Sequence, residues 1–152
     1  MYKNKNCGEP NSLDEGTEII VAGWVNRRRD HGNLIFIDLR DKSGVLQVVF
    51  NPEVSSDAHC LASELRSEWV VQIKGKIVKR ISGAENDSIS TGSIELQASE
   101  IKILNKSKTP PFEISNEIEI DDQTRLAYRF IDLRRPKMQK LFTLRHKITK
   151  LI

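Results

Sequence analysis

Apolar and polar residues alternate in five short stretches of the first hundred residues, and a period of two is typical of β-strands. Turn-forming residues at 30–33 and 41–44 separate the first three stretches. The pattern therefore predicts a three-stranded meander followed by two more strands. The predicted strands are residues 19–29, 34–40, 45–50, 69–81 and 93–103.

A helical period lies between the third and fourth strands. Within residues 55–67 the apolar side chains recur at i, i+3, i+4 and i+7, at Ala58, Leu61, Ala62 and Leu65. Three strands, one helix and two strands, without long parallel crossovers, is the order of an OB-fold. An SH3-like barrel is the other candidate, but the helix favours the OB-fold because it closes the bottom of that barrel. We predict an all-β main domain, a five-stranded Greek-key barrel with one helix between strands 3 and 4.

The residues after the barrel predict a linker and helices. Adjacent prolines at 110 and 111 deny strand hydrogen bonds to their segment, and a stripe at Leu141, Leu144, Ile148 and Leu151 follows Pro136. We expect an OB-fold domain at 1–106, a linker or hinge at 107–135 and one helix at 136–152. Nothing remains in the chain to cover the stripe, so we expect the front part of a longer protein.

Composition narrows the class of protein. The chain has 152 residues, of which 38% are hydrophobic, enough for one main core. Its net charge is only +3, so an anionic partner must meet a local basic patch. We find no apolar run of the roughly 20 residues that a membrane span needs and no signal peptide, and we expect a cytoplasmic protein. Cys7 and Cys60 lie far apart without a Cys-x-x-Cys pair, so we expect structural thiols rather than zinc ligands or a disulfide.

Strand alternation assigns faces to the second strand. Ile35, Ile37 and Leu39 share one side, and Phe36 and Asp38 share the other. Burying Asp38 without a partner would cost too much free energy, so the first set is the predicted core. Phe36 is therefore predicted on the solvent side of the barrel.

The same phasing groups further side chains with Phe36. Gln47, Glu95, Arg27 and Arg29 are predicted on the outward face. An aromatic ring can stack on a base, amide and carboxylate groups can read base edges, and arginines can hold phosphates. The face therefore predicts binding of single-stranded nucleic acid. Two alternatives stay open: Phe36 packed under a loop or another domain, and the arginines forming a solvated edge.

Longer segments carry a family resemblance. The segment GWVNRRRDHGNLIFIDLRDKSGVLQVVFNPE, residues 23–53, resembles the anticodon-binding domain of bacterial-type aspartyl-tRNA synthetases of class IIb, as do residues 61–77, 91–99 and 125–139. The resemblance implies a homodimeric cytoplasmic ligase that uses ATP and Mg²⁺ to attach aspartate to tRNA(Asp). By the same resemblance, this chain stops before the catalytic motifs. We therefore expect no catalytic residue, metal or cofactor in these residues, and we expect the fragment to be inactive alone.

The resemblance also implies roles for single residues. Phe36 corresponds to the aromatic residue that stacks on the central U of the GUC anticodon, and Gln47 and Arg29 to base-contacting residues. Glu95 corresponds to the carboxylate that reads the first anticodon base. Arg27 corresponds to a phosphate or sugar contact.

Two further positions resemble the family's non-discriminating members, which also charge tRNA(Asn). These are His31, in the predicted turn, and Gly83, in the loop before the last strand. The other interpretation of His31 is a simple turn residue. The alternative function for the whole chain is a stand-alone OB-fold module that binds single-stranded nucleic acid.

Overall fold

The structure is a computed structural model that describes residues 2–115 and 117–152. It contains two compact units, the first ending at Lys108 and the second beginning at Thr109. The first unit holds five strands and one α-helix: β1 Glu18–His31, β2 Leu34–Arg40, β3 Val45–Phe50, α1 Ser56–Ser63, β4 Val70–Lys79 and β5 Ile94–Asn105. The second unit holds α2 Asp122–Ala127, α3 Arg129–Asp132 and α4 Pro136–Leu151.

The five strands close into a barrel in the order β1-β2-β3-β5-β4. Neighbours are antiparallel except β3 and β5, which pair in parallel through Val48 with Leu96 and Val49 with Gln97. Strand β1 serves two partners, because residues 18–24 pair with β4 and residues 24–31 pair with β2. The predicted all-β OB-fold, with a helix between strands 3 and 4, is confirmed.

Alternation decides which side chains enter the barrel. In β2 the odd residues Ile35, Ile37 and Leu39 are buried and the even residues are half-buried, as predicted. Each fully buried aliphatic side chain contributes roughly 1.5–3 kcal/mol to stability. The largest fully buried side chains are those of Phe50, Ile37, Leu39, Leu46, Ile73, Ile77, Ile94, Leu96, Val21, Val25, Val48 and Val71.

Close backbone approaches need glycine at two barrel positions. A Cβ at Gly23 would lie 2.4 Å from the carbonyl oxygen of Arg40, and one at Gly75 would lie 2.3 Å from that of Gln97. Both distances are shorter than any real Cβ contact, so any side chain would force the strands apart. These glycines let neighbouring strands of the barrel approach each other this closely.

Helix α1 is shorter than the sequence predicts. It ends at Ser63, and Leu61 is 39% exposed although the pattern places it on the buried stripe. The helix packs through the small residues Ala58 and Ala62, and Leu65 is buried beyond its end. The predicted extent of 55–67 is therefore too long, because the chain leaves the helix early to enter β4.

In the second unit, Asp132 is almost fully buried between two arginines. Burial raises the pKa of this carboxyl, but hydrogen bonds and charge from Arg125 and Arg135 outweigh that effect and lower it. Helix α4 begins with Pro136, and its apolar residues Leu141, Leu144 and Ile148 are exposed. Among the described residues, no helix is long and apolar enough to cross a membrane.

Candidate nucleic-acid interface

Strand register places the predicted residues on one side of the sheet. Arg27 lies opposite Asp38, Arg29 opposite Phe36, and Asp38 opposite Gln47. Directly opposed residues of antiparallel strands point to the same side, so these five side chains share a face. It is the outer face, because the intervening β2 residues are buried in the barrel.

Four polar side chains on this face form a continuous series, which we call the polar ladder: Asp38, Arg29, Gln47 and Glu95. Nη2 of Arg29 donates to Oδ1 of Asp38 at 2.6 Å and to Oε1 of Gln47 at 3.2 Å. Nε2 of Gln47 donates to Oε2 of Glu95 at 2.8 Å. Because arginine can only donate and an ionised carboxylate can only accept, the amide of Gln47 has one orientation.

The polar ladder crosses four strands, one residue from each of β1, β2, β3 and β5. The side chain of Gln47 is on the outer face, as predicted, but it is only 9% exposed because neighbouring side chains cover it. Glu95 and Phe36 are half-buried, and Arg27 and Arg29 are exposed. The face thus presents a fixed amide flanked by reachable charges and one aromatic ring.

Arg80 is a further component of this face that the sequence analysis missed. Its side chain is buried, Nε donates to the carbonyl of Ile94 at 2.9 Å, and Nη2 has no hydrogen-bond partner among the described residues. Burial lowers the pKa of Arg80, and this effect outweighs the charges of Glu95 and Asp38, which raise it. Val78, two residues before Arg80, pairs with Glu95, and only this register, which the sequence pattern does not reveal, brings Arg80 to the face.

The first hairpin is tighter than predicted. Its turn consists of Gly32 and Asn33, with Gly32 at a φ of +61°, as expected for glycine at the first central position of a type II′ turn. His31 is therefore the last residue of β1, opposite Leu34, and not a turn residue. It is exposed and lies on the same side as Arg29, two residues before it.

Gly83 has a backbone reason for its identity. The amide of Ala84 donates to the carbonyl of Ile81 at 2.9 Å, which closes a four-residue turn with Gly83 at a φ of +87°. A Cβ at Gly83 would meet no atom within 4 Å, so space does not exclude a side chain. The positive φ does disfavour one, because only glycine adopts it without strain.

Comparison with known proteins agrees with this geometry. A tRNA anticodon-binding family, described as "OB-fold nucleic acid binding domain", matches residues 19–104. The chain is 51% identical over 149 residues to an aspartate–tRNA(Asp/Asn) ligase of Thermodesulfovibrio yellowstonii, covering 98% of this chain and 25% of the relative. It is 51% identical over 144 residues to an aspartate–tRNA ligase of Listeria monocytogenes, covering 95% of this chain and 24% of the relative.

A solved structure shows the same architecture. The crystal structure of asparaginyl-tRNA synthetase from Pyrococcus horikoshii superposes with a TM-score of 0.74 at 25% identity, over 90% of this chain and 31% of that one. The chain spans about a quarter of the length of the curated ligases that it matches. The chain therefore belongs to the OB-fold nucleic acid binding domain family of tRNA anticodon-binding domains, and aspartate–tRNA ligases are among its relatives.

Proposed function

We propose that this chain binds the anticodon of tRNA(Asp) as the anticodon-binding part of an aspartate–tRNA ligase. The polar ladder beside Phe36 is the observation that supports the proposal most strongly. It combines an aromatic ring with fixed donors and acceptors on one barrel face, the combination that base-specific recognition of single strands requires. The aspartate–tRNA ligase relatives support the choice of tRNA(Asp) in this proposal.

Each component has a chemical role in this proposal. Phe36 stacks on an unstacked base, and Gln47, held at both ends of its amide, positions Arg29 and Glu95 to meet base edges. Glu95 repels phosphates, so it serves by accepting hydrogen bonds from base N–H groups. Each of its oxygens can accept more than one such bond, so the contact to Gln47 leaves acceptor capacity for a base.

Exposed arginines supply the attraction to the phosphate backbone. Arg27 lies opposite Asp38 and Arg29 opposite Phe36, both side chains are exposed, and the chain as a whole carries only +3. Binding should therefore depend on salt through these few local charges. For a single strand, the slope of log Kobs against log salt is about −0.7 per phosphate neutralised.

The first experiment measures how binding of RNA depends on salt concentration. We expect Arg27→Gln to weaken binding of a GUC anticodon stem-loop and to reduce the slope by about 0.7. The matched control is Lys74→Gln, which removes a cation that pairs with Glu18 and Glu100 on another part of the barrel. A slope unchanged by Arg27→Gln, or changed equally by both variants, would contradict the role of the arginine.

The stand-alone single-strand-binding module is the second candidate, and it is supported by the same stacking face. It predicts that an unstructured single strand without the anticodon binds as tightly as the stem-loop. The ligase proposal predicts clear preference for the stem-loop, because the polar ladder discriminates between bases.

For the whole ligase we propose the activity of its relatives. It would activate aspartate with ATP and Mg²⁺, transfer it to tRNA, and act as a cytoplasmic homodimer. We assign residues 1–106 to anticodon binding, 107–135 to the linker and 136–152 to the first helix of the catalytic domain. The 152 residues alone should bind RNA and form no aspartyl-adenylate, and adenylate formation by them would refute this division.

We further propose that His31 helps the ligase accept tRNA(Asn) as well. Its side chain is exposed at the end of β1 on the side of Arg29 and Phe36, within the hairpin that borders the interface. The two tRNAs differ at the third anticodon base, C against U. We expect His31→Leu in the full-length protein to lower charging of tRNA(Asn) relative to tRNA(Asp). An unchanged ratio would remove His31 from the proposal, and Gly83→Asn tests the second position in the same way.

A further inference from the structure

A bulge in β1 determines which way the arginines face. Before it, odd-numbered residues such as Val21 and Val25 are buried in the barrel. The register with β2 then skips Asn26, so that Val25 lies opposite Leu39 and Arg27 opposite Asp38. The extra residue reverses the alternation, because side chains in a strand change sides at every step.

The reversal carries the arginines to the interface. Without the extra residue, Arg27 and Arg29 would continue the inward phase of Val25, and Arg28 would occupy the outer face alone. With it, Arg29 stands opposite Phe36 and reaches Asp38 and Gln47. Assembly of the polar ladder therefore depends on this one bulge.

Three side chains from separate elements hold the bulge, and we call them the clamp: Asn26, Arg40 and Glu68. Nη1 of Arg40 donates to Oδ1 of Asn26, and Nη2 of Arg40 lies 2.8 and 2.9 Å from the two carboxylate oxygens of Glu68. The side chains of Arg40 and Glu68 are only 13% and 6% exposed. This ion pair is therefore shielded from water and geometrically defined.

The backbone of Glu68 is bonded to the same point. Its amide donates to the carbonyl of Val25 at 2.7 Å, and the amide of Val25 donates to the carbonyl of Trp69 at 2.9 Å. Glu68 is also the one non-glycine residue with a positive φ, +65°, in the described part of the chain. A glycine would adopt that φ more easily, so the carboxylate explains why glutamate occupies a strained position.

We propose that Asn26, Arg40 and Glu68 are positioning residues for RNA binding, which act by fixing the β1 bulge and so the orientation of Arg27 and Arg29. The clamp acts on the polar ladder through the backbone phase of β1. This inference rests on the proposed function, since it concerns the residues assigned there to the anticodon. Affinity then depends on a second group of residues, which lies beside the interface at the far end of β2.

Glu68→Gln is the decisive variant, because its electrostatic and positional effects have opposite signs. Removing a carboxylate makes the chain more positive, and charge alone would then strengthen RNA binding. Loss of positioning instead weakens binding of a GUC anticodon stem-loop, by about tenfold if one charge-assisted contact is lost. The matched control is Glu100→Gln, an equal charge change at an exposed partner of Lys74, which should not weaken binding.

A double-mutant cycle separates positioning from general loss of structure. In an Arg27→Gln, Arg29→Gln background, Glu68→Gln should cause less than about a twofold further loss, because the residues through which it acts are gone. A tenfold loss that persists in that background would overturn the inference. Unchanged affinity of Glu68→Gln in the parent background would overturn it as well.

Register can be measured without RNA. Cross-strand NOEs between Arg27 and Asp38 should weaken, or be replaced by NOEs to other residues, in Glu68→Gln. The same result is expected in Asn26→Ala, which changes an exposed residue and serves as the second variant if Glu68→Gln folds poorly. An intact register in both variants would overturn the clamp. If the parent chain does not bind the stem-loop at all, the proposed function fails, while the NOE result still decides whether the clamp fixes the bulge.

Discussion

Phe36 allows a graded test of base stacking. The ring is half-buried on the outer face, opposite Arg29 and Val49. Stacking on one base is worth about 1–3 kcal/mol, so Phe36→Ala should weaken binding of the GUC stem-loop by roughly 5- to 150-fold. Because only part of the ring is buried, the same change should cost roughly 1–2 kcal/mol of folding stability, below the 3–5 typical of a core phenylalanine.

Conservative variants separate stacking from packing. Phe36→Tyr keeps a ring and should bind within about twofold of the parent, whereas Phe36→Leu keeps apolar bulk and should lose at least about fivefold. The matched control is Phe130→Ala, which removes a 67% exposed ring from the second unit. Affinity would be measured by fluorescence anisotropy and stability by urea denaturation. Phe36→Leu that binds like the parent would refute the stacking role.

Asp41 and Cys7, which are joined by a hydrogen bond, each allow a further test. Burial raises the pKa of Asp41, but hydrogen bonds from Lys3, Ser43 and the amide of Cys7 outweigh it and lower the pKa to about 2 from 3.8. The lowered pKa of Asp41 stabilises the fold above about pH 4, and this stabilisation is lost as the pH falls towards 2. Asp41→Asn should therefore lower the free energy of unfolding by about 1–2 kcal/mol at pH 7 and flatten the acid side of the stability curve. An acid transition that is unchanged in Asp41→Asn would contradict this role. Burial, with the nearby Asp41 carboxylate, raises the pKa of Cys7 to about 12. A thiol reagent at pH 8 should therefore label the exposed Cys60 and spare the buried Cys7 in the folded chain. Equal labelling of the two cysteines would contradict the protection of Cys7.

The strand faces were predictable where charge forces the choice. Asp38 cannot be buried unpaired, and this alone phases β2 and places Phe36 outside. The hairpin tip was less predictable, because Gly32 and Asn33 suffice for the turn and His31 stays in the strand. Helix α1 was predicted too long, since periodicity continues to Leu65 although the helix ends at Ser63.

Contacts between distant elements could not be predicted from local pattern. Three consecutive arginines show no alternation, so the sequence predicts that Arg27 and Arg29 share a face and contains no sign of the bulge beside them. The bulge depends on Glu68, 28 residues along the chain from its partner Arg40. Arg80 was missed for the same reason, because its burial follows from the loop that folds over it.

Anticodon recognition by the outer face can be tested directly with two RNAs. The chain is titrated with a GUC anticodon stem-loop and with the same stem-loop carrying GAC, which changes only the middle base. Stacking on Phe36 beside the polar ladder predicts at least about tenfold tighter binding of GUC, since the amide and charged groups there can distinguish base edges. Equal affinity for the two RNAs would contradict anticodon recognition by this face.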